Sequence, residues 1–215
     1  MVRFRIGRRG KKGQALPGAH IVIGLGNPGP HYAGHRHNVG ARVAERVAKS
    51  LRLPMTQRDK LAVSGQGETP YGPVVVARSQ TFMNESGRAA AALLKQHDAE
   101  PGALILIVDE LDLEVGRLRI RAHGSDGGQK GMRSIKQVIG TTEFPRVRIG
   151  VGRPYVGGEP SRHPDVVADH LLANPIPAEA QALHEAEQRA AEAVIAILRD
   201  GVDAAMNAYN VDGNG

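Results

Sequence analysis

The stretch HIVIGLGNPGPHYAGHRHNVG, residues 20–40, contains the pattern that decides the fold: a strand, a glycine-rich loop and the start of a helix. Its first six residues, HIVIGL, form an apolar run that predicts a strand buried on both faces. Asn38 is typical of a helix N-cap, and the valines after it recur every four residues from Val39 to Val47. The stretch therefore predicts a strand–loop–helix unit, the building block of an α/β protein.

The rest of the chain repeats this alternation of strands and helices. Leu118 and Ile120 alternate with arginines, which predicts a strand with one basic face, and the glycine-rich loop HGSDGGQKG follows it. The other predicted strands are LAVSGQG, GPVVVARS, ALILIVDE and RVRIGVG, and the other predicted helices are SGRAAAALLKQHD, a helix through Ile135 and Val138, DVVADHLLA and residues 178–199. We therefore expect one α/β domain, residues 20–215, with a twisted, mixed but largely parallel sheet covered by helices on both faces.

Composition excludes several classes of protein. The chain has no cysteine, so disulfides and thiolate chemistry are excluded and a reducing compartment fits. No apolar run reaches the roughly 18 residues of a membrane span, and the amino terminus lacks the apolar core of a secretory signal. Tryptophan is absent and aromatic residues are scarce, which disfavours broad base stacking. These features predict a cytoplasmic protein with no membrane attachment.

The net charge of +6 is concentrated in two places. Residues 1–19 hold six basic residues, no acidic residue and several glycines, which predicts a flexible basic arm, and the remaining charges balance. Residues 117–148 carry eight basic residues against Asp126 and Glu143, so they form a second basic segment. The two segments favour a polyanionic partner, although a solvated charged face would have the same composition.

The glycines of the opening stretch satisfy the pattern of a dinucleotide-binding loop. Gly24, Gly26 and Gly29 match G-x-G-x-x-G after a strand. Such a site needs a helix that begins at the third glycine and meets the pyrophosphate with its N-terminus. Here Pro30 disfavours a helical Gly29, and the next helix begins only near Asn38. The pattern therefore does not predict a dinucleotide site.

Three histidines in the same stretch raise the question of a metal site. His31, His35 and His37 lie close together, but no cysteine and no nearby carboxylate completes a ligand set. We therefore expect a site without metal, and we expect no cofactor.

Polar side chains at the ends of three predicted strands favour a different chemistry. Asn27, Asn84 and Asp109 each follow or end a strand, and ligands of open α/β sheets bind at the carboxyl ends of strands. His37, just before the first helix, could turn towards the same edge. A carboxylate beside a histidine fixes its tautomer and stabilises its protonated form, and asparagine amides could hold a carbonyl group or a water molecule. Polar strand ends placed by chance would give the same spacing, so acid–base chemistry is one of two open interpretations.

Three motifs in order give the chain a resemblance to a known family. GLGNPGPHYAGHRHNVG, TFMNESG and VDELDLEVG, with a weaker fourth match at FPRVRIGVG, resemble the motifs of bacterial-type peptidyl-tRNA hydrolases from about His20 to Tyr209. The resemblance implies an enzyme that cleaves the ester between a peptide and the 3′ end of tRNA, which rescues tRNA from aborted translation. It also implies a monomeric, metal-free α/β protein.

The resemblance implies roles for individual positions. His37 matches the general base that activates water, Asp109 the carboxylate that supports it, and Asn27 the asparagine that distinguishes blocked from free aminoacyl-tRNA. The positions that it assigns to the 3′ end of the substrate are Tyr32, Phe82 and Asn84, with Met83 beside them. Arg121 and Arg148 match two basic positions that clamp the 5′ phosphate of tRNA, and they fall in the segment already basic by composition.

Two positions depart from the family's motifs. His35 stands where threonine is common, and Gln129-Lys130 stands where the family usually has His-Asn. Lysine only donates hydrogen bonds, so Lys130 would hold tRNA phosphate rather than act as an amide. The sequence predicts a peptidyl-tRNA ester hydrolase that needs no protein partner. The alternative is a catalytically weak or inactive RNA-binding relative, which Lys130 and the basic arm would favour.

Overall fold

The structure, a computed structural model, describes residues 15–210. Most of the predicted basic arm, residues 1–14, lies outside this range. Residues 15–19 contact the domain: Ala19 is fully buried, and the backbone N–H of Leu16 donates to Nδ1 of His97 over 3.0 Å.

The domain is built on a seven-stranded sheet with a separate two-stranded hairpin. The sheet strands in chain order are β1 (His20–Gly24), β2 (Gln57–Arg58), β3 (Ala62–Thr69), β4 (Gly72–Ser79), β5 (Leu104–Glu110), β6 (Leu118–Arg121) and β7 (Arg146–Gly150), and the hairpin is β8 (Tyr155–Val156) with β9 (Glu159–Pro160). Their spatial order in the sheet is β2-β3-β4-β1-β5-β7-β6. Strands β4, β1, β5 and β7 are parallel, and the antiparallel strands lie at the two edges.

Helices cover both faces of the sheet. They are α1 (Val39–Ser50), α2 (Ser86–Gln96), α3 (Lys130–Ile139), α4 (Pro164–Leu171), α5 (Pro177–Asp200) and α6 (Val202–Tyr209). One apolar cluster joins α1, α5 and α6 to one face, and a second joins α2 and α3 to the other. The predicted mixed, largely parallel sheet with helices on both faces is therefore confirmed.

Two glycines allow the first helix to lie against the sheet. A Cβ atom added at Gly40 would lie 2.9 Å from the carbonyl oxygen of Leu25 and closer still to that of Ile107. A Cβ at Gly24 would lie 2.8 Å from the Cβ of Ala44. The glycines of the G-x-G pattern thus include one that serves helix–strand packing, and nothing at Gly29 begins a helix of the kind a pyrophosphate needs.

Several short elements were not predicted. β2 and the hairpin strands have two residues each, too few for a periodic signal, and α6 follows α5 directly after Gly201. The sequence also assigned Lys130 and Gly131 to a loop, whereas both belong to α3. The reason is that the Gln129 side chain caps this helix, accepting a hydrogen bond from the Met132 N–H over 2.9 Å.

Candidate active site

The candidate site is a cleft of about 780 Å³ at the carboxyl edge of the parallel strands. Residues at or directly after the carboxyl ends of β1, β4 and β5 form its floor, and residues of α3 and α4 form its walls. The predicted site residues that line it are Asn27, His37, Phe82, Met83, Asn84, Asp109 and Lys130. Side chains separated by up to about half the chain therefore meet in one place.

A histidine–carboxylate pair lies at the floor of the cleft. Nδ1 of His37 lies 2.8 Å from Oδ2 of Asp109. His37 is only 7% exposed and Asp109 only 2%, so solvent screens their interaction weakly. Since Nδ1 donates to the carboxylate, Nε2 is the ring nitrogen left to accept a proton from a group in the cleft.

Gln129 makes a second contact with the same carboxylate, which the sequence did not predict. Its Nε2 atom donates to Oδ1 of Asp109 over 2.9 Å. Both oxygens of Asp109 are therefore engaged, one by an imidazole and one by an amide. The departure from the family's His-Asn pair was visible in the sequence, but this contact needs the fold to bring α3 to the end of β5.

The two asparagines of the opening stretch hold each other in place. Oδ1 of Asn38 accepts from the backbone N–H of Asn27 over 3.0 Å, and its Nδ2 donates to the carbonyl oxygen of Asn27 over 2.9 Å. The prediction that the Asn38 side chain caps α1 is wrong: the residue occupies the N-cap position, but its amide is committed to Asn27.

Asn27 in turn presents one defined group to the cleft. Its Oδ1 accepts from the backbone N–H of Met83 over 2.9 Å. A backbone N–H can only donate, so the atom that faces it must be the oxygen, and Nδ2 of Asn27 is left as a donor. An N–H donor beside the histidine–carboxylate pair suits a carbonyl oxygen of a ligand.

Two arginines, the buried Arg36 and the partly exposed Arg42, fix the turn that carries His37. Arg36 donates to the carbonyl oxygen of Asn174 over 2.8 Å and forms an ion pair with Glu179. Arg42 donates to the carbonyl oxygen of His35 over 2.8 Å and pairs with Glu187 over 2.6 Å. These contacts tie the turn to α5 and to the segment between α4 and α5. No local pattern in the sequence could predict them, because the partners Asn174, Glu179 and Glu187 are more than 130 residues away.

The remaining histidines of the stretch form a ring cluster beside the cleft. The rings of His31, Tyr32 and His35 pack edge to face with centroids 5.0–5.4 Å apart, and Tyr32 continues to Phe82 at 6.4 Å. Burial, followed by the charges of His31 and Arg42, lowers the pKa of His35. Within residues 15–210, no group of three or more histidine, aspartate or glutamate side chains is arranged to hold a metal ion.

The two predicted phosphate-binding arginines lie in a smaller neighbouring cavity of about 190 Å³. Arg121 is exposed, whereas Arg148 donates through Nε to Oε2 of Glu110 over 2.8 Å. Arg146 lies two residues before Arg148 in β7. It is buried and donates to the carbonyl oxygen of Gly124 over 2.8 Å. The structure thus brings Arg121 and Arg148 together, but only Arg121 is without a carboxylate partner among the described residues.

Lys130 projects from the first turn of α3 into the cleft wall. It is exposed and makes no side-chain hydrogen bond or ion pair with another residue of the described chain. Because it is helical, its backbone is fixed rather than free to swing as a loop would be.

The fold and the site together define an α/β protein with a buried histidine–carboxylate pair at the carboxyl edge of its sheet and arginines beside it. No helix among residues 15–210 has both the length and the apolar character needed to span a membrane. The sequence profile of the family described as peptidyl-tRNA hydrolase matches residues 21–214, and the chain belongs to that family.

Individual relatives agree with this membership. The chain is 41% identical over 196 residues to a peptidyl-tRNA hydrolase of Symbiobacterium thermophilum, and the alignment covers 89% of this chain and 99% of the relative. It is 40% identical over 190 residues to that of Desulforamulus reducens, covering 88% of each. The crystal structure of peptidyl-tRNA hydrolase from Acinetobacter baumannii superposes with a TM-score of 0.80 at 30% identity, covering 92% of this chain and 97% of that one.

Proposed function

We propose that the cleft hydrolyses peptidyl-tRNA, with His37 as the general base. The observation that carries the proposal is the 2.8 Å contact between Nδ1 of His37 and Oδ2 of Asp109 at the floor of the cleft. Cleavage of the ester between a peptide, or an N-blocked amino acid, and the 3′ end of tRNA is the activity of the family to which the chain belongs.

The geometry supports the following reaction. Nε2 of His37 takes a proton from a water molecule as the water oxygen attacks the ester carbonyl carbon. Asp109 stabilises the imidazolium that forms, and Nδ2 of Asn27 donates to the substrate carbonyl that lies beside it. The bond to the ribose 3′ oxygen then breaks, the imidazolium returns its proton to that oxygen, and peptide and tRNA leave.

Other residues of the cleft would bind the two ends of the substrate. Phe82, Met83 and Asn84 line the cleft and Tyr32 packs beside Phe82, and these four residues would contact the 3′ end. Arg121 and Arg148 would contact the 5′ phosphate, and Arg148 would then share its charge between that phosphate and Glu110. Lys130, which has no carboxylate partner among the described residues, would contact phosphate near the acceptor end.

We further propose that the protein acts as a monomer in the cytoplasm, where its substrate is made. The fact that the histidine–carboxylate pair and its supporting contacts all come from one chain supports the monomer. We also propose that the basic arm, residues 1–19, raises affinity for tRNA through charge, which deletion of residues 1–14 would test without removing Leu16 from its contact with His97.

Release of an N-acylated amino acid from tRNA tests the proposal. The chain should hydrolyse this substrate, and His37→Ala should lower turnover on the order of 10²–10⁴-fold while tRNA binding persists. His20→Ala is the matched control, since His20 is exposed at the opposite end of β1. Wild-type turnover in His37→Ala would contradict the assignment of the base.

The RNA-binding alternative predicts a different result in the same assay. The native chain would then bind tRNA without hydrolysing it, and Lys130→Asn would restore turnover. We expect instead that Lys130→Asn changes the rate by less than about tenfold, because an exposed ionic contact and a neutral hydrogen bond each contribute only about 1 kcal/mol.

A further inference from the structure

Gln129 occupies a position in which both polar atoms of its amide have partners, and Sδ of Met83 also lies 3.5 Å from its Nε2 atom. Its Oε1 accepts from the backbone N–H of Met132 over 2.9 Å, and its Nε2 donates to Oδ1 of Asp109 over 2.9 Å. A backbone N–H can only donate, so chemistry fixes the orientation of the amide and rules out the flipped form. Asp109 therefore receives a hydrogen bond from a group that carries no charge and does not titrate.

This bond determines how the carboxylate faces the histidine. A carboxylate held by one oxygen can rotate about its Cβ–Cγ bond, whereas Asp109 is held by both oxygens. Its Oδ2 atom is thereby kept in line with Nδ1 of His37, which keeps the proton on Nδ1 and leaves Nε2 as the base. Positioning of this kind matters because a displacement of about 1 Å at a catalytic group can cost on the order of 10²-fold in rate.

We propose that Gln129 is a positioning residue that holds Asp109 in the orientation His37 requires, through a donor that stays neutral at every working pH. The proposal rests on the proposed role of His37 as the base. Glu110 on the same strand is paired with Arg148 of β7, and Lys130 begins the helix that Gln129 caps. The other charged or titratable side chains of the two cavities that Asp109 lines are Arg133, Arg153 and Arg162 in the cleft and Arg121, His123, Asp126 and Arg146 in the smaller cavity. An ionisable residue at position 129 would add a second charge that changes with pH beside the catalytic pair.

Gln129→Glu is the sharpest variant, because it keeps the length of the side chain and the oxygen that caps α3. It replaces only the donor that faces Asp109 with a carboxylate oxygen. Where both carboxylates are ionised they repel each other, and the added negative charge then stabilises the protonated form of the nearby imidazole. We expect kcat to fall on the order of 10–100-fold. We also expect the pH of half-maximal kcat/KM to move upward, with KM nearly unchanged.

Gln129→Met removes donor and acceptor together at similar volume. It should lower kcat to a similar extent without moving the pH profile, and it should also lower the melting temperature because the cap of α3 is lost. Gln188→Met is the matched control, since Gln188 lies exposed on α5 away from the cleft. If Gln129 has a purely structural role, Gln129→Glu and Gln129→Met should both lower the melting temperature, and the pH profile of Gln129→Glu should stay at its native position.

A measurement without substrate separates this proposal from the proposed function. The ¹⁵N NMR signals of the His37 ring report which nitrogen carries the proton and the pH at which the ring titrates. We expect the Nδ1–H form in the native chain, and in Gln129→Glu a titration displaced to higher pH. If the native chain does not hydrolyse peptidyl-tRNA but the ring responds in this way, the function fails and the positioning role stands. If Gln129→Glu keeps the native titration and the native kcat, the positioning role is overturned.

Discussion

Asn38 and Asn27 are joined by two hydrogen bonds between the side chain of one and the backbone of the other, at 3.0 and 2.9 Å. This pair stiffens the turn after β1 and so determines where the Asn27 amide points. A residue that looks like a helix cap in the sequence thus serves the cleft instead.

Replacement of Asn38 should therefore affect both stability and turnover. Asn38→Ala removes both bonds and leaves the backbone N–H and C=O of Asn27 without these partners, which should lower the free energy of unfolding by about 1–3 kcal/mol. Turnover of peptidyl-tRNA should fall by roughly tenfold or more because the Asn27 amide loses its support. Urea unfolding and the release assay measure the two effects. Asn207→Ala, at an exposed position of α6, should leave both unchanged.

The close approach of α1 to the sheet predicts that Gly40 does not tolerate a side chain. In Gly40→Ala the added Cβ would press against the carbonyl oxygens of Ile107 and Leu25, which cannot move independently of the sheet. We expect a loss of roughly 1–3 kcal/mol or more in the free energy of unfolding. Gly102→Ala provides the control, because its Cβ would meet no atom within 4 Å. Equal melting temperatures for the two variants would show that α1 is free to shift.

The two arginines of the smaller cavity should respond differently to removal. Arg121→Ala should weaken tRNA binding and lower the slope of log affinity against log salt by about 0.7–0.9 without a loss of stability, because Arg121 is exposed. Arg148→Ala should weaken binding as well, and it should also destabilise the fold, because Glu110 is only 8% exposed and would lose its ion-pair partner.

Binding isotherms at several salt concentrations, together with thermal unfolding, measure these differences. Arg189→Ala on the exposed face of α5 controls for a change in net charge. If Arg121→Ala leaves the salt slope at its native value, Arg121 does not contact phosphate.

Buried histidines should make the protein less stable in mild acid. Burial lowers the pKa of His97 below its ordinary value of 6.5, and it also lowers the pKa of His35. Above about pH 6.5 both imidazole rings are neutral in the folded and the unfolded chain, so they do not change the free energy of unfolding. As the pH falls below that value, the unfolded chain binds a proton that the folded chain does not, so stability falls by up to about 1.4 kcal/mol per pH unit for each such group.

His97→Gln isolates the contribution of His97. Glutamine can still accept from the Leu16 N–H but does not titrate, so the variant should lose less stability than the native chain between pH 7 and pH 5. Urea unfolding at several pH values measures this slope. His20→Gln should keep the native slope because His20 is exposed. An unchanged slope in His97→Gln would mean that the buried ring is not linked to unfolding.

Much of the fold and of the site could be predicted because the signals are local. Buried strands such as ALILIVDE are continuous apolar runs, and the polar residues that end them, Asn27 and Asp109, must meet at one edge once the strands are parallel. The motifs that carry the family resemblance lie within this edge, so membership of the peptidyl-tRNA hydrolase family followed from the sequence.

What only the tertiary structure decided is which atoms these residues use. The Asn38 amide bonds to the backbone of Asn27 rather than to its own helix. Gln129, at the start of α3 and 20 residues after Asp109, donates a hydrogen bond to that carboxylate, and Arg148 forms an ion pair with Glu110. Each of these is a hydrogen bond or an ion pair between residues brought together by packing, and a hydrogen bond depends on distance and direction to within a few tenths of an ångström. Apolar periodicity specifies which faces are buried, but it carries no information at that precision.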